Sequence, residues 1–444
     1  MDNRERVTTP ICDFVRHYAE SNPARLHMPG HKGNGILGVE ELDITEIDGA
    51  DSLFHASGII EESESNASSI FGARTFYSTE GSSLCIRAMV YLARLKGVRR
   101  IVATRNAHKT FISACALMNI EVVWLYPREN SLLSCDFDPN ELEYALKRGN
   151  ADCVYITSPD YLGSVADIKT ASSICKKYNR LLLVDNAHGA YLKLLPESLH
   201  PIDLGADICC DSAHKTLPVL TGGAYLQVSK HNAFFVENAK NALSLFASTS
   251  PSYLILQSLD AANAVMESFK ASLLGFIPTV EEYKSRLAES GYALIGDELL
   301  KLTINTKKYG YFGHVFAKIL KEYSIIPEFY DNDHIVFMLS PTDEASLRRL
   351  CDLLLSIERR ESIDLSPPAI PRGACAVSMH DALYLEGEVI DAKDSLDRVF
   401  ASFNVACPPA VPCVTLGERI GIDAIKCFEY YGIEKIRVLK DKNI

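Results

Sequence analysis

The sequence predicts an α/β fold: a large domain built on a mostly parallel sheet, followed by a smaller α+β region. Three observations lead there. Between residues 100 and 230, short continuous apolar runs alternate with stretches of helical spacing, the pattern of a parallel sheet covered on both faces. After Ser272 the alternation loosens, with helices and strands no longer in regular succession. The length of 444 residues, 47% of them hydrophobic and 23% charged, suffices for two or three domains with a large core.

Taken in order, residues 1–50 read as an N-terminal arm and site-lining loop. Thr9-Pro10 starts a helix over Ile11 to Ser21, with proline at the first helical position. His27-Met-Pro-Gly-His31 has the i, i+4 histidine spacing that a helical metal site would use, but Pro29-Gly30 between them breaks such a helix, and no metal is expected. Residues 51–271 form the large domain. A helical patch runs from Ile59 to Phe71, and Gly81-Ser82-Ser83 stands ahead of an amphipathic helix through Leu84, Ala88 and Leu92. Those three letters suit an anion at a helix N-terminus, and equally an ordinary N-cap.

Strands are predicted at Ile101–Thr104, Val122–Tyr126, Cys153–Thr157, Leu181–Asp185, Asp207–Cys210 and Ala224–Val228. The helices between them follow His108 to Leu117, Pro139 to Lys147 and Thr170 to Tyr178. Residues 230–270 read as helical with a hydroxyl-rich break at Ala247–Tyr253. Residues 272–444 carry a helix at His314–Tyr323, a strand at His334–Leu339, a helix at Asp343–Ile357, a linker near 363–373 and a final alternation over Val405–Leu439.

Composition narrows the function. A net charge of −12 argues against a nucleic-acid surface. Thirteen scattered cysteines without a C-x-x-C pair point to a reducing cytoplasm, with neither a disulfide framework nor structural zinc. Residues 1–6 hold no apolar signal core, and no later run approaches the roughly 18 uninterrupted apolar residues of a membrane span. A soluble, cytoplasmic protein without a membrane partner is expected.

In parallel sheets, sites gather at the carboxyl ends of the strands. Here those exits are Arg105-Asn-Ala-His108, Thr157-Ser-Pro-Asp160-Tyr, Asp185-Asn-Ala-His188 and Ser212-Ala-His-Lys215. Each alone has a plain explanation, such as a loop histidine or a helix cap. Four exits delivering ionisable groups, with a lysine among them, are harder to explain as packing. A lysine at the rim of a buried strand is driven toward its neutral amine, which can form a Schiff base with a carbonyl.

The pairing of Asp185-x-Ala-His188 with Ser212-x-His-Lys215-Thr216 resembles the fold-type-I pyridoxal-phosphate enzymes, whose large domain is aspartate-aminotransferase-like. More narrowly it is similar to the Orn/Lys/Arg decarboxylase family in its shorter form, without a receiver-like N-terminal domain. His27-Met-Pro-Gly-His-Lys32, Asp43-x-Thr-Glu46, Asp51-x-Leu53, Phe71-Gly-Ala, Asn106-x-His-Lys109, Thr157-Ser-Pro, Ser250-Pro-Ser-Tyr253 and Pro408-Pro-x-x-Pro412 ahead of Gly417-Glu418 follow the family pattern in order.

The resemblance implies decarboxylation of arginine, lysine or ornithine to an amine, in polyamine metabolism, with pyridoxal 5′-phosphate as cofactor. It implies that Lys215 holds the cofactor and later carries a proton, and that Asp185 pairs with the pyridine nitrogen. His108 would stack on the ring and His188 would sit near the reacting carbon. Ser82, Ser83, Ser212 and His214 would hold the phosphate, with Ser248 added from the partner subunit of a homodimer or higher oligomer that shares its active sites. The arm at His27–Lys32 would help close the site.

Three positions depart from the family pattern: Asp160, Asn186 and Ala410, the last where the family turn carries glycine. They leave open an aminotransferase-like or other pyridoxal-phosphate activity, and a non-catalytic homologue. Glu418 is a candidate partner for a cationic substrate side chain, although a glutamate beside a turn is more often solvated.

Overall fold

The computed structural model describes residues 7–128, 131–149, 151–403 and 410–440; Pro408 and Pro409 lie outside them. Helix α1 (Pro10–Glu20) opens on its proline, where an absent N–H leaves no bond unmade. Helix α2 (Ile59–Phe71) buries Ile60, Ser63, Glu64, Ala67 and Phe71, a stripe of helical period, and ends at Gly72 with φ +69°. Strand β1 (Arg74–Ser78) and helix α3 (Gly81–Leu95) follow. The expected alternation then appears as β2 (Arg100–Thr104), α4 (Lys109–Leu117), β3 (Glu121–Leu125), α5 (Pro139–Lys147) and β4 (Cys153–Thr157). It continues through α6 (Ile168–Lys177), β5 (Leu181–Asp185), β6 (Ile208–Asp211), the single turn α7 (Ala213–Thr216), β7 (Ala224–Val228) and α8 (Ala233–Ser244).

The chain forms two compact units, one of residues up to 97 with 168–270, the other of 98–167 with 271 onward. In the first, four strands lie in the order β1-β7-β6-β5. Strands β5 and β6 run parallel, whereas β7 is antiparallel to both β6 and β1. In the second, β4, β2 and β3 form a parallel ladder. All of β6, and all but one residue each of β4 and β5, are buried, as near-continuous apolar runs in a covered parallel sheet should be. Strand β1 is not among the predicted strands because Arg-Thr-Phe-Tyr-Ser shows no apolar run. Its polar letters are used inward instead: Thr75 Oγ1 donates to Gln227 Oε1 at 2.6 Å, and the Tyr77 hydroxyl lies 2.8 Å from Ser63 Oγ.

Helix α9 (Tyr253–Glu289) runs unbroken through Ser272. The second unit continues with β8 (Ala293–Ile295), β9 (Lys301–Asn305), α10 (Gly313–Glu322), β10 (Phe329–Tyr330), β11 (His334–Met338) and α11 (Glu344–Ser356). Its antiparallel sheet has the order β10-β11-β9-β8. After an irregular stretch come α12 (Met379–Tyr384), β12 (Gly387–Asp391), α13 (Ile422–Tyr430) and β13 (Lys435–Leu439), with β12 and β13 paired antiparallel. None of the described helices is long and apolar enough to cross a membrane. None of the described cysteines forms a disulfide, and all but Cys12 and Cys375 are buried.

Two motif residues prove to be architectural. Asp51, at φ +71°, accepts N–H bonds from Ser52, Ser57, Gly58 and Ile60 at 2.9 to 3.1 Å, tying the chain into the start of α2. Partial burial opposes its charge, but the four donors prevail and hold the carboxyl below its usual range. The stability it contributes is therefore present above the ordinary carboxylate pKa and lost as pH falls through the lowered value. Asp51→Ala is expected to destabilise the protein by about 1–2 kcal/mol at neutral pH, a difference that urea denaturation should find shrinking in acid. Ala410 sits at φ +58° and is fully buried, so the turn does demand the left-handed conformation that glycine adopts more easily. Its carbonyl accepts from Lys109 N at 2.9 Å.

Candidate active site

The site grows from the first unit's strand ends. Strand β1 leads through Thr79 and Glu80 into α3, whose first turn is Gly81-Ser82-Ser83. Gly81 adopts φ +70°, and its N–H donates to Gly222 O at 2.7 Å. Gly222 itself has φ +100°, and a Cβ built on it would lie 2.9 Å from Thr79 O; one on Gly223 would lie 2.3 Å from Val219 Cγ1. Glycine at 222 lets these two loops close on each other, and glycine at 223 makes room for Val219 within its own loop. From β6, Ser212 Oγ donates to Ser82 Oγ at 2.8 Å. His214 places both its backbone N–H (3.1 Å) and its ring Nδ1 (2.9 Å) on Gly223 O. A carbonyl only accepts, so Nδ1 carries the proton and Nε2 is left as an acceptor in the neutral ring. Burial, reinforced by the neighbouring Lys215 charge, lowers the His214 pKa and favours that neutral form. The Ser82 and Ser212 hydroxyls and the N-terminus of a 15-residue helix thus converge on one cup, whose donors suit a phosphate, while the His214 ring beside them braces the Gly222-Gly223 loop through Gly223 O.

Beside the cup, Lys215 Nζ lies 2.9 Å from His188 Nε2. His188 is buried and Lys215 half-buried. Asp185 closes β5 and is 2% exposed; its Oδ1 accepts from Ala187 N at 3.2 Å and from the Cys210 thiol at 3.5 Å. Burial, and then Asp185 itself, push the Cys210 thiol well up, so it remains an S–H donor. A buried carboxylate, an amine in contact with an imidazole, and a phosphate cup are the three parts that a pyridoxal phosphate needs, and the residues present fit it.

The remaining candidates are placed as follows. His108 caps α4, its Nδ1 accepting from Thr110 N at 3.1 Å, and Asn106 Nδ2 donates to Thr157 O at 3.2 Å, linking the two strand exits of the second unit. Ser83 lies half-buried in the first turn of α3. Ser248 is exposed; its N–H donates to Glu80 Oε1 at 2.7 Å and its Oγ accepts from Ser250 N at 3.1 Å. Glu80 and the Gly222-Gly223 pair are not among the residues that the sequence singles out. A T-G-G-A run just before a strand is the signal that points to the glycines.

His27 and His31 go separate ways, His27 Nε2 to the Tyr18 hydroxyl at 2.6 Å and His31 Nε2 to Asp43 Oδ2 at 3.1 Å. Asp160, one of the three departures, is structural. It is 1% exposed and accepts from Cys135 N, Leu162 N and Ser164 N at 2.9 to 3.0 Å, while its carbonyl takes the buried Lys301 Nζ at 2.7 Å. Glu418 corrects an expectation: it is not solvated but 6% exposed, with Oε2 accepting from Thr415 N at 2.8 Å inside its own turn.

Residues 9–289 match the family description "Orn/Lys/Arg decarboxylase, major domain". The chain is 31% identical to an arginine decarboxylase of Halalkalibacterium halodurans, over 93% of this chain and 91% of that protein. It is 28% identical to an arginine decarboxylase of Bacillus subtilis, over 93% and 91%. Among solved structures it superposes on a lysine decarboxylase of Francisella novicida with a TM-score of 0.81 at 16% identity, covering 98% of this chain and 81% of that one. The constitutive lysine decarboxylase of Escherichia coli gives a TM-score of 0.73 at 18% identity, over 98% and 82%.

Proposed function

The chain belongs to the Orn/Lys/Arg decarboxylase family and is an amino-acid decarboxylase, and on that premise we propose that it uses pyridoxal 5′-phosphate to convert a basic amino acid, arginine before lysine or ornithine, into its amine for polyamine synthesis. Its fold is the fold-type-I α/β architecture of that group. The observation that carries the reading is the contact of Lys215 Nζ with His188 Nε2, in the same unit as the buried Asp185 and the Ser82–Ser212 cup. Arginine comes first because the relatives named arginine decarboxylases match over nine-tenths of the chain.

When bound, pyridoxal phosphate supplies a protonated ring that accepts the electron pair released as the α-carboxylate departs as carbon dioxide. The chain's own groups do the rest. Ser82, Ser83 and Ser212, with the N-terminus of α3, would bind and orient the phosphate, and His214, which the family pattern also assigns to it, would act by holding the Gly223 loop through its Nδ1–H. Asp185 keeps a proton on the pyridine nitrogen, its own charge sheltered from water at the end of β5. Lys215 supplies the anchoring amine and then returns a proton to the α-carbon. His188, 2.9 Å from Nζ, exchanges that proton with it. His108 is assigned to the ring face by the family pattern, and Ser248 to the phosphate of a partner subunit in a homodimer.

Purified protein with pyridoxal phosphate should be incubated with arginine, lysine and ornithine and the products read by mass spectrometry. Agmatine, cadaverine or putrescine would identify the substrate. Keto acids without amine would make it a transaminase, and absence of amine and carbon dioxide from all three would sink the assignment.

A further inference from the structure

Residue 186, where the family pattern carries an acid, directly follows Asp185. The two side chains engage different residues of β6, Asp185 the Cys210 thiol and Asn186, which is fully buried, the next residue along. Asn186 Nδ2 donates to Asp211 Oδ1 at 2.6 Å. Asp211, at the end of β6 and 0% exposed, also accepts from Gln227 Nε2 at 3.1 Å and faces His200 Nε2 at 3.1 Å. Gln227 is held in turn by Thr75. A Cβ on Gly189 would lie 2.1 Å from Asn186 Oδ1, so the following turn is closed down onto the amide. Asn186 adjoins the residue assigned to the pyridine nitrogen, and Asp211 adjoins Ser212 of the phosphate cup. The 2.6 Å bond therefore ties the two strand ends at one height.

We propose that Asn186 and Asp211 form a positioning pair that sets Asp185 against Ser212 and Lys215, one member having to be the acid and the other the amide. The pair rests on the reading that Asp185 and Lys215 hold pyridoxal phosphate. The departure at 186 is then no sign of a dead site, because the acid stands on the opposite strand. Two carboxylates at this separation cannot both ionise: one would have its pKa raised strongly and keep its proton. Above that raised pKa an acid at 186 is therefore matched by an amide at 211, which needs no shared proton.

The other ionisable groups around the pair are Asp185, His200, Cys85, Cys209, Cys210 and Tyr225, with Asp203 beyond His200. Burial pushes the Cys85, Cys209 and Cys210 thiols and the Tyr225 phenol upward, so these stay protonated. The His200 contact with residue 211 is common to the wild type and N186D, which are compared at the same pH.

The test uses the full chain as wild type, N186D, D211N and N186D/D211N. Two quantities are measured at about pH 6 and about pH 8: the urea midpoint of protein freed of cofactor, and the dissociation constant of pyridoxal phosphate by absorbance titration. N186D is expected to bind pyridoxal phosphate about tenfold or more weakly than wild type at the higher pH, the deficit narrowing in acid as the carboxyl pair regains its shared proton. The sign follows from a raised pKa, whose protonated form is present at low pH and lost as pH rises through it. The exchange variant should return to within about threefold of wild type, with the pH dependence gone.

N186D matching wild type at both pH values, or an exchange variant no better than N186D, would overturn the pair. So would urea midpoints that move while pyridoxal phosphate affinity does not, since that is a structural role only. If N186D fails to fold, an exchange variant that folds and binds supports the pair, and one that also fails overturns it. A wild type that binds no pyridoxal phosphate would end the functional reading and the positioning role with it, while the urea midpoints would still show separately whether 186 and 211 must be acid and amide.

Discussion

Lys215→Ala is expected to abolish amine formation, lowering kcat by at least about 10³-fold, because in the proposed mechanism Lys215 is both the anchoring amine and the proton carrier. The fold should survive. Lys215 is only half-buried, and the backbone bond from Lys215 N to Ser212 O at 2.9 Å does not depend on its side chain. The Nζ–His188 contact would be lost, and because His188 is itself buried the cost is that of one hydrogen bond to a buried group, so the unloaded variant should unfold within about 1–3 kcal/mol of wild type. Steady-state amine release and urea denaturation check the two halves. A variant retaining a tenth or more of the activity would remove Lys215 from the mechanism.

Asp185→Asn separates charge from shape. The amide oxygen can still accept from Ala187 N and the Cys210 thiol, as the carboxylate now does at 3.2 and 3.5 Å. What the amide cannot do is hold a proton on the ring nitrogen, and without that proton the ring is a poor electron acceptor. The expected result is a fall in kcat of roughly 10²- to 10⁴-fold, with KM for the amino acid changing much less, because the lost interaction is made in the transition state. Kinetics of the loaded enzyme decide it. An unchanged kcat would mean that the ring nitrogen is held by something else.

Both substitutions fall at strand exits, and those exits are legible in the amino-acid sequence. The parallel strands stand out because each is a continuous apolar segment of about five residues, and the apolar character of a segment is a local property of its letters. The exit residues follow from the strands: once β5 and β6 are recognised, Asp185 and Ser212 to Lys215 must emerge where they end. Helix α2 and the proline-opened α1 likewise carry their signals within themselves.

Other features depend on chain that returns from far away. Ser82 meets Ser212 across 130 residues, and Asn186 meets Asp211 across 25. Strand β1 is a strand because β7 pairs with it, its own letters being too polar to announce it. Asp160 and Asn186 are departures in one dimension, yet one caps a buried turn and the other grips a buried carboxylate. Glu418 reads as a surface glutamate and is buried on its own turn. The amino-acid sequence by itself determined that the apolar segments from β2 to β7 become strands and which ionisable groups leave their ends. Tertiary structure alone decided which of those groups bond to one another, because a hydrogen bond is specified by two partners within about 3 Å, and only the folded chain brings distant residues to that separation.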